Sequence, residues 1–392
     1  MNIIKNIPRG VIKNNLLIAS HAKGCWVWDI KGNQYLDMTS GIGALSTGHS
    51  HPKVINRVKK QLDKIVHAQQ NCFLSHTEQE ILINKLVGIL PNGHNNIYFT
   101  NSGTESIENA IKIARMSTNK PNIITMNGGF HGRSLGAMSL CSSKVSYKKG
   151  FQPLLPGVFF CNQYNIESFN NIIENQTSPD ETCAVIMEPI LGEKGIIQLP
   201  KDFVKHIRKI CTENNIKLIF DEVQCGSGRT GKWWASEYWD IIPDLMTFAK
   251  GIGSGFPIGG VSGNSDVFDL MSKNSLGGTY NGNAIATSAS IATIDTIIEE
   301  NLLNNANIMG DKIKKELESF PHIKEIRQHG LFIGIDIEKD INVNNIIKEA
   351  INNNLLLITC GDNSIRLLPP LIINEKEVEI FFDSFYKTLN KF

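Results

Sequence analysis

The sequence predicts an α/β protein: a mostly parallel sheet sandwiched by helices, with a smaller α+β domain beside it. Three observations lead there. Two short apolar runs, Ile216–Phe220 and Leu245–Ala249, are too short for helices and are bounded by polar or glycine-rich turns, like strands buried on both faces. From about residue 97 to 250, strand-like runs alternate with helical segments. Beyond residue 280 that rhythm gives way to one long small-residue helix and then to strand pairs. The two apolar runs end abruptly in Asp221 and Lys250. Ligands of open α/β sheets bind at the carboxyl ends of strands, so an acid and a lysine delivered to one edge are placed for chemistry.

In chain order, residues 20–40 read as two short strands around the turn Ile30-Lys31-Gly32-Asn33. A glycine-broken loop follows; its His49 and His51 have no third ligand nearby and read as turn and helix-start residues, with no metal expected. Helices are expected from Lys53 and from Thr77, where T-E-Q-E fits a capping box, the second stopping at Pro91-Asn92-Gly93. The strand Ile97–Thr100 then turns into a helix. Ser102 and Glu105 form a second capping box there, while Ile107, Ala110, Ile111 and Ala114 share one face. That start leaves the backbone N–H groups of Gly103 and Thr104 unblocked, which is either an anion site or an ordinary capped helix.

The strand Asn122–Met126 runs into N-G-G-F-H-G-R, placing Phe130 in a glycine-rich turn, free to lie on a ring or to plug an apolar gap. Cys183–Met187 runs into Glu188-Pro189 and then Glu193. Helix, strand, loop and strand follow between Lys201 and Gly251. After the long helix come a strand pair around His329-Gly330 and one strand each in L-L-L-I-T-C and S-I-R-L-L-P-P-L, with Arg366 at the start or edge of the last. The expected division is an N-terminal segment, 1–45, packed with a C-terminal small domain, 283–392, and a large domain, 46–282.

Composition bounds the partners. The 39 basic and 38 acidic residues leave a net charge of +1, so no global field favours nucleic acid or an anionic membrane, and neither is expected. No apolar run reaches membrane-spanning length, and the first ten residues lack a signal-peptide core, so a cytoplasmic location is the expectation. The eight cysteines (25, 72, 141, 161, 183, 211, 225, 360) show no C-x-x-C spacing and suit reduced core thiols.

A lysine at the end of an apolar strand has two uses: its ammonium snorkels to water, or it loses a proton and attacks a carbonyl. Taken alone, the first is commoner. Pyridoxal phosphate chemistry asks for such a lysine together with a carboxylate facing the pyridine nitrogen, a phosphate cup and a ring-stacking side chain, and each can be sought separately. A rival signal is the literal G-x-G-x-x-G of Gly226, Gly228 and Gly231. Asp221-Glu222-Val223-Gln224 intervenes between the strand and this segment, and no amphipathic helix follows, so a nicotinamide-dependent oxidoreductase is the weaker reading.

Seven blocks, in order along the chain, carry a resemblance: N-S-G-T-E-S, F-H-G-R, E-P-I-L-G-E, F-D-E-V-Q-C-G-S-G-R-T-G, T-F-A-K-G-I-G-S-G-F-P, G-G-T-Y-N-G-N and I-R-L-L-P-P-L. Together they resemble the class III (ω-amino acid) aminotransferases, above all the 4-aminobutyrate and acetylornithine/ornithine members. The resemblance implies a fold-type I architecture with a seven-stranded sheet, and pyridoxal 5'-phosphate as cofactor. It implies a homodimer, or a dimer of dimers, with active sites at the subunit boundary. It also implies transfer of an ω-amine from 4-aminobutyrate or a similar ω-amino acid to 2-oxoglutarate, giving glutamate and a semialdehyde.

Position by position, the resemblance makes Lys250 the Schiff-base lysine and proton shuttle, and Asp221 the partner of the pyridine nitrogen. Gln224 falls at the ring hydroxyl, Phe130 at the ring face, Glu188 beneath the cofactor site, and Gly103 with Thr104 at the phosphate. Thr279 matches a threonine that reaches the phosphate from the partner subunit. Arg366 matches the arginine for the α-carboxylate of glutamate, and Glu193 the acid that pairs with it when an ω-amine enters. Arg133 matches an arginine available to the distal carboxylate. Ile42 stands where 4-aminobutyrate enzymes carry isoleucine and ornithine enzymes tyrosine, implying a small, uncharged-tailed donor. Ala284 replaces the usual proline after the G-N pair, Asn281 is atypical, and the passage Tyr147–Cys161 is short. N-acetylornithine or ornithine are the alternative donors; an aminomutase, a decarboxylating relative and a non-catalytic homologue are more remote.

Overall fold

The computed structural model describes residues 7–8, 10–11, 17–68 and 74–392. Cys72 and the reading of residues 1–6 lie outside them. Three short strands open the described chain: β1 (Ala19–Lys23), β2 (Trp26–Asp29) and β3 (Gln34–Asp37). β2 and β3 form the expected hairpin, and β1 pairs with β2 as a strand the sequence reading omits. The turn closes on Asp29, whose carboxylate accepts from the backbone N–H groups of Lys31 and Asn33.

The central sheet is built from β4 (Asn96–Thr100), β5 (Asn122–Met126), β6 (Val158–Cys161), β7 (Thr182–Met187) and, after a separate two-residue pair, β8 (Ile190–Leu191) with β9 (Ile197–Gln198), from β10 (Lys217–Asp221), β11 (Leu245–Phe248) and β12 (Gly259–Gly263). Its order is β4-β12-β11-β10-β7-β5-β6. β12 runs antiparallel to both its neighbours, and the other pairings are parallel. The strands read as unbroken apolar runs because both faces are covered. In β10, Ile219 points toward the helix Gly103–Thr118 and packs with Ile107, Ala110 and Ile111. Leu218 and Phe220 point the other way, toward Phe203, Val204 and Ile207 of the helix Lys201–Glu213.

Two helix starts differ from the expected capping boxes. His76, not Thr77, caps the helix Thr77–Val87, its Nδ1 accepting from the N–H of Gln79. Ser102 does cap the helix Gly103–Thr118, but Glu105 reaches past it to the backbone and side-chain amides of Asn101. The long helix Ala284–Glu299 forms as its composition predicts, capped by the Asn283 side chain.

The C-terminal sheet holds β13 (Ile323–His329) and β14 (Phe332–Ile337). The run L-L-L-I-T-C, expected as one strand, breaks at Leu357 into β15 (Leu355–Leu356), which pairs parallel with β3, and β16 (Ile358–Cys360), which pairs with β17 (Ser364–Leu367). One apolar run thus serves two sheets. The order β13-β14-β17-β16 makes β17 interior, so Arg366 is held on both sides, opposite Gly334 and Ile358, and lies neither at the start nor at the edge. No helix among the described residues is long and apolar enough to cross a membrane, and all seven described cysteines are buried free thiols.

Candidate active site

The carboxyl ends of β7, β10 and β11 open onto a cavity of about 450 Å³, lined by Glu188, Asp221 and Lys250 from these strand ends. Register places Asp221 opposite Thr247 across β10 and β11. Lys250 follows two residues after β11 with φ at 48°, the left-handed region, which costs a non-glycine residue about 1–2 kcal/mol. It is partly shielded from solvent. Burial among protein atoms, helped by the Arg366 charge, pushes its pKa down to about 8 against the pull of Asp221, Glu188 and Glu193. Its amine can therefore take up or release a proton near neutrality.

Asp221 is buried among donors. Its Oδ2 lies 2.7 Å from Nδ1 of His131, and its Oδ1 accepts from Val223 N–H and the Thr247 hydroxyl, both at 3.1 Å. A carboxylate only accepts, so Nδ1 carries the proton in this pair. Glu188 accepts from the N–H groups of Phe130 at 2.8 Å and Gly192 at 3.1 Å, tying down the aromatic's turn. Burial pushes its carboxyl up to about 7.

The helix Gly103–Thr118 begins at the cavity wall. Its first N–H groups have no intrahelical acceptor, and Ser102 takes only that of Glu105, which leaves Gly103 and Thr104. The Thr104 hydroxyl is spent elsewhere. Ser134 donates its hydroxyl proton to Glu108 at 2.5 Å, so the 2.7 Å contact between Thr104 and Ser134 uses the Thr104 proton. Thr104 offers the cavity its backbone, not its side chain. The same contact clamps the Phe130 turn to the helix at Gly132, where φ is 140° and a Cβ would lie 2.3 Å from Thr104 Oγ1.

On the far side, Arg366 donates to Glu193 Oε1 at 2.8 Å and to Gln224 Oε1 at 2.7 Å. Burial alone would raise the Glu193 carboxyl, but the Arg366 guanidinium overrides it and holds the group below its usual range. Gln224 lines the cavity as well, so its expected place at the wall and its hold on Arg366 coexist. Arg133 also lines it, its guanidinium 3.9 Å from the ring centroid of Tyr147, which in turn meets Phe130 edge-on at 5.4 Å.

Four predicted residues are not on the cavity wall: Arg366 and Glu193, joined to it through Gln224, and Ile42 and Thr279. Ile42 is 42% exposed and is absent from the cavity wall, where Ala44 stands instead. Thr279 is exposed in a turn outside this chain's cavity. Asn281, the atypical residue of that turn, ties it down by accepting from Asn101 and donating to the Tyr98 hydroxyl. Sequence reasoning missed His131, Tyr147 and Glu108. A signal existed only for His131, flanked in F-H-G-R by Phe130 and Arg133.

The glycines 226, 228 and 231 fall in successive turns and open no helix. Arg229 among them donates to the carbonyls of Leu331 and Pro369, locking this segment to the β13–β17 sheet. Among the described residues no group of three His, Cys, Asp or Glu could hold a metal ion.

A family model described as aminotransferase class-III matches residues 9–389. A probable 4-aminobutyrate aminotransferase of Bacillus subtilis is 36% identical, over 94% of this chain and 92% of its own. Ornithine aminotransferase 1 of Staphylococcus saprophyticus is 37% identical, over 93% and 92%. Among solved structures, the ornithine aminotransferase from Toxoplasma gondii, with partial occupancy of PLP at its active site, superposes with a TM-score of 0.90 at 26% identity, covering 98% of this chain and 92% of that one.

Proposed function

Since the chain belongs to the class III aminotransferases, we propose that it moves the terminal amine of 4-aminobutyrate or a similar ω-amino acid to 2-oxoglutarate, giving glutamate and a semialdehyde. Pyridoxal phosphate is the cofactor of this aminotransferase. The cavity fits it: a helix N-terminus for the phosphate, a buried acid for the pyridine nitrogen, an aromatic for the ring face and a lysine for the aldehyde. When bound, the cofactor carries the amine between substrates and withdraws the electron pair left when the donor carbon loses its proton.

The chain's own residues do the rest. Gly103 and Thr104 bind the phosphate through backbone N–H groups and the helix dipole. Asp221, oriented by His131, Val223 and Thr247, holds a proton on the pyridine nitrogen. Phe130, anchored by Glu188, fixes the ring plane. Lys250 removes a proton from the donor's amine-bearing carbon and, in the second half-reaction, delivers one to the acceptor carbon that gains the amine, a task suited to a group of pKa about 8. Thr279 serves the partner's site in a homodimer.

The observation that carries the substrate reading is the Arg366–Glu193 pair, tied to the cavity wall through Gln224. Paired, Arg366 offers little net charge, and an ω-amine whose reacting carbon bears no carboxylate can enter. Released, it forks onto the α-carboxylate of glutamate. Arg133 takes the distal carboxylate in both cases. A donor panel with 2-oxoglutarate, read as glutamate formed, tests this. No glutamate from 4-aminobutyrate, 5-aminovalerate, ornithine or N-acetylornithine would overturn it. The comparable identity to an ornithine enzyme favours ornithine as the second reading, and the same panel separates the two.

A further inference from the structure

The pair at Arg366 leaves one oxygen of Glu193 to be accounted for. Oε1 meets Arg366 at 2.8 Å; Oε2 faces the Tyr147 hydroxyl at 3.4 Å and Lys144 Nζ at 3.8 Å. Both latter contacts exceed the 2.7–3.0 Å of a full-strength charged hydrogen bond, so these two donors are present but only partly engaged. Lys144 precedes the short 3-10 turn Val145–Tyr147 and Tyr147 ends it, and both side chains reach the same carboxylate oxygen. The aim of Tyr147 is fixed by packing: Arg133 covers its ring and Phe130 meets it edge-on. Glu193 is mostly buried, its side chain 11% exposed, whereas Lys144 reaches solvent at 37%.

An α-carboxylate that forks onto Arg366 strips Glu193 of its cation. A buried carboxylate without a partner is strongly unfavourable, so the site accepts a dicarboxylate only as readily as Glu193 finds another seat. We propose that Lys144 and Tyr147 are that second seat: the Glu193 carboxylate leaves Arg366 and closes onto them when a dicarboxylic substrate binds. They thereby set the preference for 2-oxo and amino dicarboxylic acids over monocarboxylic ω-amines. Glu193, Lys144, Tyr147 and Arg366 are one relay, and Lys144 acts through Glu193, not on the substrate. This rests on the reading of Arg366 given above.

The test is binding of glutarate, a dicarboxylate with no amine or keto group to react, to the holoenzyme by calorimetry. The ratio of kcat/KM for glutamate to that for 4-aminobutyrate is followed alongside. Lys144→Met and Tyr147→Phe are each expected to weaken glutarate about tenfold, within the usual range of couplings between sites, and to lower the ratio in step. In a Glu193→Gln background, which has no charge to reseat, neither change should alter glutarate binding by more than about twofold. Equal weakening in both backgrounds would mean that Lys144 attracts the ligand directly, and no weakening in either would mean that the seat is idle; each result overturns the proposal. If Arg366→Ala binds glutarate as the parent does, the reading of Arg366 itself fails.

Discussion

Replacing His131 by phenylalanine tests whether the acid at the end of β10 is held by its buried partner. The ring volume is roughly kept, and one hydrogen bond to Asp221 is lost. That bond is short, 2.7 Å, and both side chains are almost wholly buried. Hydrogen bonds to charged groups contribute about 1.5–3 kcal/mol. Val223 N–H and the Thr247 hydroxyl still hold the other oxygen, so the lower half of that range applies here. At about 1.4 kcal/mol per factor of ten, the expected loss is roughly 10- to 40-fold. It should appear as weaker pyridoxal phosphate retention, measured by fluorescence titration of the apo-enzyme, and as a slower donor half-reaction in stopped flow. His131→Asn keeps a donor near the same place and should recover part of both. If His131→Phe retained cofactor and rate within twofold, Asp221 would be oriented by the backbone and Thr247 alone, and the role given to His131 would be wrong.

Arg366→Ala should damage the glutamate half-reaction more than the ω-amine one, by about two to three orders of magnitude in kcat/KM, because a bidentate contact is lost there alone; equal losses would refute the gate. The pKa of Lys250, lowered to about 8, means more neutral amine at a given pH. Uptake of pyridoxal phosphate by the apo-enzyme should therefore accelerate as pH rises through about 8 and level off above it, whereas a rise continuing to pH 10 would indicate an unperturbed ammonium. Gly132→Ala forces a Cβ onto Thr104 and should cost about 1–3 kcal/mol in a denaturant melt, with looser cofactor binding. Mixing Lys250→Ala and Thr279→Ala subunits should restore more activity than either homomer shows if Thr279 serves the partner's site; size-exclusion of the mixture reports whether they associate.

What the sequence disclosed and what it withheld have separate physical causes. Asp221, Glu188 and Lys250 were legible because burial of the sheet on both faces demands unbroken apolar strands, and the first charge after each run marks the edge. The hairpin at Asn33 was legible from local turn chemistry, and the long helix from Ala284 from its run of small residues. Caps made by unusual partners were not: an imidazole caps at His76, and Glu105 prefers the amides of Asn101. The split of 355–360 between two sheets has no local mark, since β-propensity does not say which partner a strand will find. His131, Tyr147 and Glu108 act through contacts with residues 90, 46 and 26 positions away, which spacing along the chain cannot disclose.

Register is what converts those separate strand ends into one site. Met187 lies opposite Phe220, so Glu188 and Asp221 each stand one step beyond a paired apolar residue, and Asp221 is level with Thr247. Two cross-links secure that row: the Thr247 hydroxyl donates to Asp221, and Glu222 N–H donates to the Thr247 carbonyl. A slip of one residue in β10 would drive Ile219 away from the helix Gly103–Thr118 and turn Asp221 from the cavity to the opposite face. A slip would also draw Lys217 or Asp221, which bound the apolar run, into the positions that Leu218 or Phe220 now fill in the core. Hydrophobic burial therefore fixes the register, and the register fixes the acid. Lys250 needs only the two-residue reach beyond β11 and one strained φ to face it. The chemistry sits at the ends of the three central strands of the sheet, where the core on both faces holds its geometry.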